Sequence, residues 1–377
     1  MKEQIKIVSV VGARPNFMKI APIARAMEDH NRQGNQPEIA SLIVHTGQHY
    51  DEKMSKLFFD DLGIPKPDYN LEVGSGSHAY QTAEIMKRFE PVLQDEAPDY
   101  ILVVGDVNST IACALVAKKL GIQVIHVEAG LRSFDRTMPE EINRILTDAI
   151  SDVLFITEPS AEKNLRAEGI PEDKIHFVGN VMIDTLLQHK AKAEKSAVLQ
   201  DLGLTENSGS SIRPYAVLTL HRPSNVDNHA ILFDILSAAS EISDRITVVF
   251  PVHPRTLSQI KETKIRLSAQ VKLIDPLGYL DFMKLVSHAR FVMSDSGGIQ
   301  EETTVLGVPC LTLRMNTERP VTVEQGTNIM VGVDKSRILD EGLKIIDSSP
   351  RKGSRPELWD GNAAQRMVKI LRRRNLV

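Results

Sequence analysis

Only two cysteines occur in the 377 residues, Cys113 and Cys310. They lie far apart in the apolar runs IACALVA and VPCLTL. That placement reads as two small core residues in a reducing compartment and excludes a disulfide framework. Charge of one sign is not in excess either: the formal net charge of -4 argues against a general nucleic-acid binder. No apolar run approaches the length that spans a bilayer. The start, MKEQIKIVSVVGARP, lacks the apolar stretch and small-residue cleavage site of a signal peptide. The expected location is the cytoplasm, with no membrane partner. Low-complexity segments are absent, and 42% hydrophobic with 25% charged residues is ordinary for a globular protein.

Several ligand signatures are missing as well. No strand-turn-helix carries GxGxxG; the nearest match, GSGSHA (74–79), has Ser where a strand should precede it. A bound nicotinamide is not expected. GARPNFMK (12–19) lacks the GK[ST] ending of a P-loop. HVE (126–128) begins like a zinc deaminase signature, but no PCxxC follows. His45 and His49 have i, i+4 spacing, yet Gly47 between them argues against a helix. Neither a metal site nor any other cofactor is expected.

What is present is rhythm. Short blocks rich in Val and Ile recur at the spacing of β-α units. In the first half they are IKIVSVVG (5–12), IASLIVHTG (39–47), YILVVGD (100–106), VIHVEAG (124–130), VLFITE (153–158) and IHFVGN (175–180). Helical patterns such as SKLFFDDLG and TIACALVAKKLG lie between them. After a polar stretch and the Ser/Gly-rich TENSGSSIRP, the rhythm resumes. The later blocks are YAVLTLH (215–221), ITVVFPVH (246–253), VKLIDP (271–276), FVMSDS (291–296), VPCLTLR (308–314) and NIMVGV (328–333). Near-continuous apolar strands alternating with helices imply buried parallel sheets. A chain of 377 residues exceeds what one core usually supports. The expected fold is α/β, with two doubly wound Rossmann-like domains facing a cleft, at residues 1–185 and 186–360. A final helix, 361–377, can pack back on the first domain.

Many blocks end in a chemically useful residue, and open parallel sheets bind ligands beyond the carboxyl ends of their strands. SDSGGIQEE (294–302) is the most informative end. Ser296, Gly297 and Gly298 open a helix whose N–H groups can approach a phosphate. Glu302, one turn in, can accept hydrogen bonds from both hydroxyls of a ribose. Arg14 and Lys19 of GARPNFMK can reach a phosphate. LHRPSN places His221 and Arg222 at a strand end, suited to anion binding or acid-base work. PVHPR adds His253, and TERP adds Arg319. HVEAGLRSFDRTMPEEINR (126–144) crowds carboxylates among arginines. As a whole, the second domain looks like a holder of a nucleotide diphosphate. The first supplies the carboxylates Asp106, Glu128 and Glu140, which points to chemistry on a sugar attached to a nucleotide.

GARPxxxK, HTGQH, GDxxST, HVEAGLR, MPEEINR, HRP, DSGGIQEE and TERP occur in this order from Gly12 to about Thr327. In this the chain resembles the non-hydrolysing UDP-N-acetylglucosamine 2-epimerases. The resemblance implies a fold of the glycosyltransferase B type, a homodimer, no added cofactor and a UDP-sugar substrate. It implies that Asp106, Glu128 and Glu140 are catalytic carboxylates, with Arg144 and His221 also functional. Arg14 and Lys19 match phosphate-side cations, and Phe282 a residue beside the uracil. Ser296, Gly297, Gly298 and Glu302 match diphosphate and ribose contacts, and Arg319 a base near the phosphates. The implied reaction interconverts UDP-N-acetylglucosamine and UDP-N-acetylmannosamine for polysaccharide synthesis.

The match departs in places. Many bacterial members bind a second UDP-N-acetylglucosamine as an activator. Gln48 and His49 survive from that site, but a glutamine position is Asp51 and an Arg-Gln pair is Tyr80-Gln81. HRRE becomes HRPS, with Pro223 and Ser224. A lost arginine at a diphosphate removes a bond worth roughly 1.5–3 kcal/mol, so strong activation by substrate is not expected. Related epimerases act on UDP-2,3-diacetamido-glucuronic acid, the alternative substrate. A retaining glycosyltransferase, a hydrolysing epimerase and a nucleotide-sugar sensor are the rival classes.

Overall fold

Strands with no polar face must be covered on both sides, which a parallel sheet flanked by helices achieves. The computed structural model describes residues 3–47, 63, 65–206, 211–263, 265–348 and 353–374. The chain divides into two compact units, Met1–Thr185 with Glu357–Val377, and Leu186–Pro356. Among the described residues no helix is long and apolar enough to cross a membrane.

The strands of the first unit are β1 (Gln4–Val11), β2 (Glu38–His45), β3 (Tyr69–Asn70), β4 (Tyr100–Val104), β5 (Gln123–Val127), β6 (Val153–Ile156) and β7 (Ile175–Phe177). All pair in parallel, in the order β3-β2-β1-β4-β5-β6-β7. The second unit holds β8 (Tyr215–Thr219), β9 (Thr247–Pro251), β10 (Val271–Ile274), β11 (Phe291–Ser294), β12 (Cys310–Thr312) and β13 (Asn328–Met330). They too are parallel, in the order β10-β9-β8-β11-β12-β13. Both are doubly wound sheets whose strand order reverses, between β1 and β4 and between β8 and β11. Ligands of such sheets bind outside the strand ends at that reversal.

Burial follows the sequence pattern. All five residues of β4 are buried. In the second unit, Leu232, Ile235, Leu236, Ala239 and Ile242 form one apolar stripe on the helix His229–Ser243. The stripe packs with Leu218, Val248, Phe250, Phe291 and Met293 into one core. The Asn228 side chain caps that helix by accepting from Ala230 N and Ile231 N at 3.1 and 3.2 Å.

Each apolar block contains a strand, but the ladders stop short of the block ends. YILVVGD is strand only to Val104 and VIHVEAG only to Val127. The residues that follow, Gly105 and Glu128, have φ of +68° and +73°, which turns the chain out of the sheet. The chemically useful residues therefore lie just beyond the last paired residue. The two-residue β3 was too short to read from the sequence. The pattern SKLFFDDLG lies outside the described residues apart from Gly63.

The C-terminal segment belongs to the first unit. Trp359 is buried and its Nε1 donates to Thr157 O at 2.9 Å. Asp184 accepts Ala363 N and Ala364 N at 3.1 and 2.8 Å, capping the helix Ala363–Arg374. Burial pushes this carboxyl up to about 6.

Candidate active site

In the first unit the strand ends at the reversal carry the charges singled out in the sequence. The helix Pro139–Ile150 explains why PEEINR needs so many of them. Glu141 faces inward and accepts Ser133 N at 3.0 Å and Phe134 N at 2.8 Å, which ties down the loop before the helix. Arg144 bonds Glu141 at 3.0 Å and Asp106 Oδ2 at 2.8 Å. Asn143 donates to Asp106 O at 2.9 Å. One helical turn thus holds Asp106 by both its backbone and its carboxylate. Glu140 points elsewhere: it is half-buried and has no side-chain partner among the described residues.

Glu128 is buried and forms an ion pair with Lys19 Nζ from the helix Arg14–Arg32. Lys19, read from the sequence as a phosphate-side cation, is therefore held against a carboxylate. Gly105 makes room for the pair, because a Cβ there would stand 3.2 Å from Lys19 Nζ and 3.7 Å from Glu128 Oε2. The left-handed backbone at Glu128 costs a non-glycine residue about 1–2 kcal/mol, a strain more typical of working sites than of scaffolds. Arg14 opens the same helix; its side chain lies outside the described residues. So do Gln48, His49 and Asp51. Gln81 is buried and committed: its amide donates to Gly74 O at 3.2 Å and accepts from Asn108 at 2.9 Å.

Two further charges of the stretch, Asp135 and Arg132, are tied into the surrounding structure. Asp135 accepts Thr137 N and Oγ1 at 3.0 and 2.6 Å. Arg132 forks onto Glu168 at 2.8 and 2.6 Å.

In the second unit, His221 follows β8 and Asp295 follows β11 across the reversal. Asp295 is fully buried and sits 2.7 Å from His221 Nδ1, while the His221 side chain is 59% exposed. A carboxylate can only accept, so Nδ1 donates and Nε2 is left without a protein partner among the described residues. Asp295 also accepts His221 N, Arg222 N and Asn225 Nδ2 at 3.0–3.2 Å. Burial, the largest influence, pushes this carboxyl up. The hydrogen bond and charge of His221 and the two backbone N–H groups more than reverse it, holding it below the usual range.

Ser296, Gly297 and Gly298 begin the helix Gly297–Leu306, whose first N–H groups lack intrahelical acceptors. Arg319 lies over this end: a Cβ on Gly297 would be 2.6 Å from Arg319 Nη1. Its Nε donates to the buried Glu301. Glu318 gathers three guanidinium groups, from Arg314 at 2.7 Å, Arg222 at 3.2 Å and Arg319 at 3.8 Å. Burial raises this carboxyl, but the charges of Arg319, Arg314 and Arg222 hold it far below the usual range. Glu302 is 4% exposed and its Oε1 accepts the Tyr279 hydroxyl at 3.1 Å. Phe282, on the same helix as Tyr279, is half-buried against Leu285, Val286 and Ile299. His253 is exposed after β9, with Arg255 N donating to its Nδ1 at 3.4 Å.

Sequence reasoning missed Asp295, Tyr279, Arg314 and Glu318. Asp295 stood inside the quoted SDSGG and Arg314 ended VPCLTLR, so each also had the strand-end signal. Glu318 stood inside the quoted TERP, and Tyr279 had no strand-end signal, because its partner Glu302 lies 23 positions away.

Comparison with known proteins matches residues 31–372 to the family model of UDP-N-acetylglucosamine 2-epimerase. The chain is similar to the UDP-N-acetylglucosamine 2-epimerase of Methanocaldococcus jannaschii, at 44% identity over 97% of this chain and 99% of that one. The crystal structure of that enzyme in complex with UDP-GlcNAc and UDP superposes with a TM-score of 0.87, at 44% identity and the same coverage. The UDP-2,3-diacetamido-2,3-dideoxy-D-glucuronate 2-epimerase of Pseudomonas aeruginosa is 41% identical over 97% of this chain and 99% of its own.

Proposed function

The chain belongs to the UDP-N-acetylglucosamine 2-epimerase family, and on that premise we propose that it inverts C2 of the sugar in UDP-N-acetylglucosamine. The observation that carries this reading is a pair of carboxylate–cation couples at adjacent strand ends, Asp106 with Arg144 and Glu128 with Lys19. Glu140 stands uncommitted on the next helix.

The chemistry asks for such groups. C1 of the substrate is an acetal carbon, so the C2 hydrogen is not acidic. Breaking the C1–O bond to UDP leaves an oxocarbenium-like centre that acidifies C2. A carboxylate takes the C2 proton, and the C–H electron pair becomes the C1=C2 bond of a 2-acetamidoglucal. A proton returns to the opposite face of C2, and UDP re-adds to C1 as UDP-N-acetylmannosamine. Asp106, Glu128 and Glu140 share the proton work. Arg144 and Lys19 hold two of them in place.

The leaving diphosphate falls to the second unit. The open helix N-terminus at Ser296–Gly298, the cations Arg222 and Arg319, and His221 suit the charge that develops as the C1–O bond breaks. His253 is assigned to the same side, and Arg14 keeps the phosphate-side role that the resemblance implies. Glu302 takes the ribose and Phe282 the uracil. No added cofactor is required. The setting is the cytoplasm, where such a product feeds polysaccharide synthesis. A homodimer is supported by Ile142 and Leu146, 46% and 49% exposed one turn apart on the helix Pro139–Ile150. Tyr80 in place of an arginine, and Gln81 already bonded to Asn108, support hyperbolic rather than substrate-activated kinetics.

The test is proton NMR of the purified protein with UDP-N-acetylglucosamine in D2O, without added metal or nicotinamide. UDP-N-acetylmannosamine with deuterium at C2 is the expected product. Free N-acetylmannosamine with UDP would mean a hydrolysing enzyme. Turnover only of UDP-2,3-diacetamido-glucuronic acid would move the substrate to that of the Pseudomonas relative. Asp106→Ala, Glu128→Ala and Glu140→Ala should each cut turnover by about 10²–10⁴-fold; losses within a few-fold would remove the assignment.

A further inference from the structure

His126 and Asp148 are absent from the proton work, yet both are fully buried and lie 2.6 Å apart, Nδ1 to Oδ1. His126 Nε2 reaches Gly105 O at 2.9 Å. A backbone carbonyl only accepts, so Nε2 carries a proton. Asp148 also takes Arg132 Nη2 at 2.7 Å and Gly130 N at 3.0 Å on its other oxygen. Burial, the largest influence on Asp148, raises it, but the charges and hydrogen bonds of His126 and Arg132 hold it below the usual range. Nδ1 faces the Asp148 carboxylate and Nε2 the Gly105 carbonyl, so the ring bridges two acceptors. The charged groups facing the ring are Asp148 and, through it, Arg132, which Glu168 balances in turn.

The placement is specific. Gly105 precedes Asp106 at the end of β4. Gly130 lies two residues past Glu128 at the end of β5. Asp148 is on the helix that carries Glu140, two turns on. One buried hydrogen-bonded pair therefore joins the three chain segments that bear the three carboxylates. A packed apolar cluster could hold them near one another, but only directional bonds fix the backbone at each strand end.

We propose that His126 and Asp148 are positioning residues, which set the mutual placement of Asp106, Glu128 and Glu140 so that deprotonation and reprotonation occur on opposite faces of C2. This rests on the epimerase reading. His126→Gln keeps a donor for Gly105 O and loses the pair with Asp148; His126→Asn does the converse; Asp148→Asn removes the charge.

Displacing one carboxylate by an ångström should lower kcat by about 10²-fold in each variant, with KM within about 3-fold. The pH profile of kcat should shift, and UDP with free 2-acetamidoglucal should escape in measurable yield. A loss of kcat that only tracks the folded fraction, with unchanged pH profile and no escaped glucal, would overturn the proposal. A measurement on the unaltered protein guards against variants that fail to fold. With nitrogen-15-labelled histidine, the Nε2–H of His126 should be seen as a slowly exchanging proton held by Gly105 O. An Nε2 proton that exchanged as fast as that of an exposed histidine would equally overturn it. If the unaltered enzyme exchanged no C2 hydrogen, the epimerase reading itself would fall. An active enzyme with indifferent variants would sink only this inference.

Discussion

Glu302→Gln should make the protein more stable and bind its nucleotide less tightly, and the gain in stability should depend on pH. Glu302 is 4% exposed, and among the described residues its side-chain hydrogen bond comes from Tyr279. Burial, the largest influence, together with the nearby Glu301 charge, outweighs the Tyr279 bond and raises it from 4.5 to about 7. In the unfolded chain the carboxyl ionises near 4.5, in the folded protein near 7. Below the lower value both states are protonated and the group contributes nothing. Through the window the folded state binds the extra proton, so stability falls as pH rises, and above about 7 the full penalty stands. A shift of about 2.5 units corresponds to about 3 kcal/mol. Glutamine has no such charge. Urea unfolding followed by circular dichroism should give equal midpoints for the two proteins at pH 4.5. At pH 8 the variant should be ahead by an amount approaching that figure. Titration with UDP at pH 8, where Glu302 is ionised, should show the reverse, a weakening of about 10-fold or more, since an amide oxygen accepts more weakly than an ionised carboxylate. A stability gap that did not change between the two pH values would refute the account of Glu302 as a carboxyl held neutral by burial.

Asp295→Asn keeps the size of the side chain but removes the charge facing His221 Nδ1. Turnover should fall by about 10²-fold while KM moves little, as read from initial rates across pH; unchanged rates would mean that Asp295 only supports the fold. Gly179 has φ +88°, and a Cβ there would stand 2.1 Å from Leu358 O, backbone against backbone. Gly179→Ala should cost about 3 kcal/mol, seen as a lower Tm, with faster proteolysis near Leu358. Leu146→Glu should convert the proposed homodimer to monomer in size-exclusion chromatography with light scattering. An unaltered mass would place the interface elsewhere. Initial rates against UDP-N-acetylglucosamine should be hyperbolic, and a sigmoidal curve that sharpens with added substrate would contradict that.

The sequence by itself determined the fold class. Strands such as YILVV, apolar at every position, admit no exposed face, and their alternation with helices leaves parallel sheets as the solution. It also picked out the segments proposed to do chemistry, because a residue at the end of such a strand lies just beyond the paired ladder. Asp106, Glu128, His221 and Ser296 were legible on that ground. Only the tertiary structure decided what each charge does. In PEEINR, neighbouring glutamates take opposite parts: Glu141 is locked onto Ser133 and Phe134 while Glu140 is left uncommitted, and the helix rotation that separates them is invisible in their order. Lys19 meets Glu128 across 109 positions, and Asp295 meets His221 across 74. Local pattern carries the period of a strand or helix. Electrostatic partnership depends on distance in space, which the strand order of the sheet sets.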